Sequence, residues 1–172
     1  RIARGVAELA HGFGMEVNAF DPYVSAEEAI ELDCLMHDNV DSLFRACTHI
    51  SVHCNLSEDT YHLVNRERLA MMPDIGADGT ACGNHIVNCA RGGIVDESAV
   101  LDTLDSGVLS SAALDVFEVE PAIGNLLLQH ERFHGSPHIG AATLEAQNRV
   151  GIEMAELLVA FFNGERPKSA IN

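Results

Sequence analysis

The feature that most constrains this chain is a change of hydrophobic period that repeats along it. Short apolar runs, "MEVNAF", "THISVHC", "HIVNCA" and "SSAALDVF", alternate with stretches whose apolar residues recur every three or four positions. The first pattern marks a buried strand and the second a helix with one buried face. Strands separated by helices cannot be joined by tight hairpins, so their connections are crossovers and their pairing is parallel. The expected fold is α/β, a doubly wound parallel sheet covered on both faces.

Local signals place the boundaries. Ile2, Val6, Leu9 and Phe13 predict a first helix that stops at Gly12 or Gly14, before the strand in "MEVNAF" that Asp21-Pro22 ends. Ser25 with Glu28 forms a capping box for a second helix, and Asn65 caps a short one in "NRERLAMM". Asp96 opens a helix over "ESAVLDTLDSG" that Gly107 closes. "TLEAQNRVGIEMAELLVAFFNG" predicts a long amphipathic helix ending at Gly164, and "PDIGADGTACGN" reads as loop.

In sheets of this kind ligands bind beyond the carboxyl ends of the strands. The residues there are Asp21, Cys54-Asn55, Arg91, Asp115 and His138. Arg91 is the most informative, because a strand that delivers an arginine at its end usually aims it at an anion. Asp21 has two readings of equal weight, a turn residue in Asp-Pro or a carboxylate for an adenosine ribose.

Charge narrows the partners. The formal net charge is -16 and Lys168 is the only lysine, which argues against nucleic acid. A solvated acidic surface, of a kind suited to a salty habitat, explains the excess better than an acidic interaction face. Any anionic ligand must then be captured locally by placed arginines. No apolar run reaches membrane-span length, and five cysteines without a C-x-x-C pair suit a reducing, cytoplasmic compartment.

Two metal motifs are set aside. "HERFH", His130 to His134, has the H-E-x-x-H spacing with Glu131 as the base, but Gly135, Ser136 and Pro137 follow at once and no helix is expected there. Cys82, His85 and Cys89 straddle a loop and a strand with too few ligands for a closed site. No metal site is expected.

The segments "NCARGGIVDESAVLDTLDSGVLSSAALDVFEVEP" and "SPHIGAATLEAQNRVG" resemble the signature half of the D-isomer-specific 2-hydroxyacid dehydrogenases. "DPYVSAEEA" and the terminal "GERPKSAIN" extend the resemblance over nearly the whole chain. It implies a Rossmann-like NAD-binding domain. Arg1-Ile2-Ala3 matches the end of the family's G-x-G-R-I-G fingerprint, which implies a domain truncated at its first strand and glycine loop. On that reading residues 1–172 are a partial NAD-binding domain, with about 143–172 the helix and tail leading back toward a substrate domain outside the chain.

The same resemblance assigns roles. Arg91 matches the family's catalytic arginine, a fork for the carboxylate and carbonyl oxygen of a 2-oxo acid. Glu120 and His138 match its acid/base pair. Arg1 and Ile2 fall at the pyrophosphate, Asp21 at the ribose, and Cys54 after the family's next strand. Cys89, Ala90, Arg91, Asp115, His138, Ile139, Gly140 and Ala141 fall around the nicotinamide end. An acidic residue at 21 implies NAD over NADP. The implied substrate is a small anionic 2-hydroxy or 2-oxo acid such as D-3-phosphoglycerate, on the route to serine, with glyoxylate or hydroxypyruvate reduction and a non-catalytic dinucleotide sensor as alternatives. The resemblance also implies a homo-oligomer, at least a dimer. Asn55 stands where the family has proline, which implies a looser loop over the adenine, and "PDIGADGT" reads as an insertion without an assigned role.

Overall fold

The computed structural model describes residues 2–166. It contains two compact units, Arg1–Pro137 and His138–Asn172.

The first unit opens with helix α1 (Ile2–Gly12), followed by strand β1 (Asn18–Ala19), α2 (Ala26–Glu31), β2 (Leu35–Met36) and α3 (Val40–Ala46). Strand β3 (His49–Val52), α4 (Arg66–Leu69), β4 (His85–Asn88), α5 (Glu97–Ser106) and β5 (Ser111–Leu114) come next, then a 3-10 turn at Leu126–Gln129 and β6 (Phe133–Gly135). Strands β3-β4-β5-β6 form a four-stranded sheet in that order, every pair parallel. This is the parallel sheet with flanking helices that the alternating pattern demanded. Strands β1 and β2 pair in parallel as a separate two-stranded sheet.

The pleat explains the burial. Ile50 and Val52 of β3, Ile86 and Asn88 of β4, and Ala112 and Leu114 of β5 are buried at every second position. Helix α5 contributes Ala99, Val100, Thr103 and Leu104, one helical face, to the same core. Phe44, Leu69, Ile94, Leu109 and Leu127 are among the other residues of this core.

The foreseen caps form. Asp96 accepts from Ala99 N–H at 3.1 Å, Asn65 accepts from Arg68 N–H at 3.0 Å, and Gly107 closes α5 in the left-handed region at φ 81°. Only half of the capping box at α2 is made. Ser25 Oγ accepts from Glu28 N–H at 3.2 Å, while the Glu28 carboxylate pairs with Arg4.

Other expectations need correction. The strand in "MEVNAF" is two half-buried residues rather than a buried run, because among the described residues it pairs with β2 alone. Strand β2 and helix α3 have no counterpart in the sequence reading. The strands of the main sheet are also shorter than their apolar runs, so Cys89 and Ala90 already belong to a turn. The expected loop over 73–84 contains a small closed turn: Ile75 bridges Ala81, and Asp78 accepts from the Thr80 amide and hydroxyl at 2.9 Å each. Arg1 and residues 167–172, which include most of "GERPKSAIN", lie outside the described residues.

The second unit carries α6 (Leu144–Phe162), capped by Thr143, whose Oγ1 accepts from Ala146 N–H at 3.1 Å. No described helix is long and apolar enough to cross a membrane.

Candidate active site

Parallel strands end on one edge, so the residues that follow β3, β4, β5 and β6 are brought to the same side of the sheet. Those residues are His53-Cys54, Cys89-Ala90-Arg91, Asp115 and Ser136. An open cavity of about 200 Å³ lies among Cys89, Ala113, Leu114, Asp115, His134, Gly135 and Ser136.

Asp115 is the buried charge of this edge, 5% exposed. Its backbone N–H continues the ladder to Asn88 O at 3.0 Å, and its Oδ1 accepts from Ser136 Oγ at 2.6 Å. Beside it the exposed Cys89 thiol is pushed up, by desolvation first and by the Asp115 charge second. Burial likewise raises Cys54, which packs against the core, and lowers His53.

The turn that carries Arg91 is pinned by Asn88, which is 1% exposed. Asn88 Oδ1 accepts from Ala90 N–H at 2.9 Å and its Nδ2 donates to Arg91 O at 2.9 Å. The Arg91 guanidinium is exposed and donates to Ala90 O at 2.6 Å. Gly92 then runs directly under the next turn, where a Cβ would stand 1.8 Å from Phe117 O. In that next turn, Glu120 Oε1 accepts from Phe117 N–H at 3.1 Å. The loops that present Arg91 and Glu120 are therefore in backbone contact.

Asp21 lies just after β1, and its Oδ1 accepts from Tyr23 N–H at 2.9 Å, a local bond of the kind a turn residue makes. Ile2 is the first residue of α1. His138, Ile139, Gly140 and Ala141 belong to the second unit, all exposed; His138 sits at φ 55°, and Ala142 N–H donates to Ile139 O at 2.9 Å before α6 begins.

Sequence reasoning missed Asn88, Gly92 and Ser136. Asn88 and Ser136 had a faint signal, a polar residue in core phase on a strand and a hydroxyl just after one. Gly92 had a neighbour, Gly93, with the same letter, and nothing in the sequence says which of the two a backbone crosses.

Neither metal motif converges. His130 ends the 3-10 turn and His134 lies in β6, so no continuous helix carries both. His85 opens β4 and Cys89 follows its last residue, roughly 13 Å away along an extended chain. The His85 ring is engaged by Ser111 Oγ at 2.7 Å and Cys82 O at 2.9 Å. Elsewhere His62, Asp96 and Glu118 bring ligand-type atoms within 4.8 Å of one another. They are already bonded, His62 Nε2 to Glu118 Oε1 at 3.0 Å and Asp96 Oδ1 to the Ala99 N–H of the helix it caps at 3.1 Å.

Comparison with known proteins agrees with this fold. The profile of the family described as D-isomer specific 2-hydroxyacid dehydrogenase, NAD binding domain, matches residues 1–140. The chain is 38% identical to the D-3-phosphoglycerate dehydrogenase of Bacillus subtilis over 172 residues, covering all of this chain and 31% of that protein. It is 42% identical to the hydroxypyruvate reductase of Thermotoga maritima over 158 residues, 90% of this chain and 48% of that one. Among solved structures, a D-lactate dehydrogenase from Treponema pallidum superposes with a TM-score of 0.83 at 30% identity, over 99% of this chain and 53% of that one. The chain thus spans about a third to a half of the length of these relatives.

Proposed function

The chain belongs to the D-isomer-specific 2-hydroxyacid dehydrogenase family, matching its NAD-binding domain, and from that premise we propose that the complete gene product is an NAD-dependent oxidoreductase acting between a D-2-hydroxy acid and its 2-oxo acid. The observation that carries this reading is the edge of the sheet where Cys89 and Asp115 line one cavity while the Arg91 and Glu120 turns touch through Gly92 and Phe117.

The cavity fits one end of a dinucleotide. Its apolar wall suits the face of a ring, and the buried Asp115 carboxylate offers an acceptor to a carboxamide N–H. NAD(H), when bound, supplies a two-electron hydride transfer. Arg91 then holds the substrate carboxylate in its planar fork. On the family resemblance, His138 would give a proton to the substrate oxygen in reduction and take it back in oxidation, with Glu120 the other member of the acid/base pair. On the same resemblance, Ile2 would lie at the pyrophosphate and Asp21 at the ribose, where its charge would disfavour a 2′-phosphate and select NAD over NADP.

For the substrate we favour D-3-phosphoglycerate, oxidised to 3-phosphohydroxypyruvate on the route to serine. Support comes from D-3-phosphoglycerate dehydrogenases that align with the whole chain. Reduction of hydroxypyruvate is the second reading, favoured by the 42% identity to a hydroxypyruvate reductase. Five free cysteines suit the cytoplasm, and we take the complete protein to be a homodimer or larger. Assays of the complete gene product with NAD and D-3-phosphoglycerate, and with NADH and hydroxypyruvate or glyoxylate, decide among these. No turnover of any of them, with NADH still bound, would favour a dinucleotide sensor instead.

A further inference from the structure

Three carboxylates, Asp96, Glu97 and Glu118, meet around the N-terminus of α5. Like charges so close repel, and the helix N-terminus offsets only part of that. Asp96 is the cap. Glu97 holds the first helical position, where a carboxylate would ordinarily face its own helix, yet its side chain crosses to another loop. Glu97 Oε1 accepts from Glu118 N–H at 2.6 Å, and Glu97 N–H points back at Glu118 Oε1 at 3.4 Å. The second oxygen, Oε2, accepts from the Asn125 side chain. Glu118 lies two residues before Glu120 and Asn125 five after it. His62 Nε2, at 3.0 Å from Glu118 Oε1, braces the same point from the loop after β3.

We propose that Glu97 is a positioning residue: its carboxylate grips the backbone ahead of Glu120 and the side chain of Asn125 behind it, and so fixes the turn that presents Glu120. This rests on the reading that Glu120 serves proton transfer. It adds that the helix following the Arg91 loop sets the position of the Glu120 carboxylate, so both catalytic side chains are registered to one element.

The test uses the complete gene product with NADH and whichever of 3-phosphohydroxypyruvate and hydroxypyruvate it reduces faster. Glu97→Ala should lower kcat by about 10- to 100-fold, the scale of a small misplacement of a reacting group, with NADH affinity by fluorescence within about twofold. Glu97→Gln keeps one acceptor but turns an amide toward Asn125, so it should fall between; it carries the test if the alanine variant does not fold. In a Glu120→Gln background either change should add less than about twofold, because a residue acting through Glu120 has nothing left to place. Amide exchange at Glu118 should quicken in both variants. Unchanged kcat in folded Glu97→Ala and Glu97→Gln, or a full additive loss in the Glu120→Gln background, overturns the proposal and leaves Glu120 in its role. Full activity in Glu120→Gln alone overturns the role and the proposal together.

Discussion

Gly92 passes so close to Phe117 that a Cβ on it would stand 1.8 Å from the Phe117 carbonyl oxygen. The neighbour is backbone, which cannot rotate away, so Gly92→Ala must push the Arg91 and Glu120 turns apart. We expect a loss of about 2–3 kcal/mol in urea unfolding together with loss of turnover. Gly93→Ala is a useful contrast. Gly93 has φ 82°, but a Cβ on it would first meet the edge of the Tyr61 side chain at 3.4 Å, an ordinary contact. It should cost about 1–2 kcal/mol, from the left-handed backbone alone.

The Asp96 cap makes a pH prediction. Partial burial pushes its carboxyl up, but hydrogen bonds from Ser98 Oγ and the Ala99 amide, with the His62 charge nearby, outweigh it and leave the group below its ordinary value. A carboxyl depressed in the folded state contributes stability above its unfolded pKa and loses it as pH falls through the folded one. Asp96→Ala should cost about 1 kcal/mol at pH 7, and the gap to the unmutated protein should shrink as the pH is lowered below about 4. A pH-independent gap in chemical denaturation would show that the charge is not what the cap uses.

Much of this architecture was legible because its signals are local. Asn65, Asp96 and Gly107 each act on a helix within three residues, so one short window of sequence contains cause and effect. The strand ends gave Arg91 and Asp115 by the same logic. Helix α3 was missed although Asn39 caps it, its side chain accepting from Ser42 N–H at 2.9 Å, because seven residues give too few turns for a period to show. The role proposed for Glu97 was invisible for a different reason. Glu97 meets Glu118 at 21 residues' separation and Asn125 at 28, so a single polar letter says nothing of its partner until the chain has folded.

Thiol chemistry offers a readout of the cavity. Burial raises Cys47 to about 11, and Cys54 and Cys89 also stand above the ordinary thiol value, so none should alkylate as fast as a free cysteine at pH 7. Cys89 is the exposed one of the five and lines the cavity. Iodoacetamide mapped by mass spectrometry should therefore modify Cys89 ahead of Cys47 and Cys54, and saturating NADH should protect it. Unchanged labelling of Cys89 with NADH bound would place the nicotinamide end elsewhere.

Cofactor choice tests Asp21. The complete gene product should prefer NADH over NADPH, and Asp21→Ala should mainly relax that preference by admitting the 2′-phosphate. Equal use of both cofactors by the unmutated enzyme would reduce Asp21 to the turn residue that its bond to Tyr23 N–H already makes it.

The most direct measurement of the central claim is steady-state kinetics of Arg91→Lys in the complete enzyme, beside NADH binding by fluorescence. Lysine keeps the charge at the end of β4 but loses the two-pronged fork that a planar carboxylate requires. For Arg91→Lys, kcat/KM for the 2-oxo acid should fall by roughly 100-fold or more, equivalent to the loss of about one charge-assisted bidentate contact, while NADH binds within about twofold of its original affinity. An Arg91→Lys enzyme with unchanged kcat/KM, or one whose defect lies in NADH binding instead, would contradict the assignment of Arg91 as the carboxylate clamp.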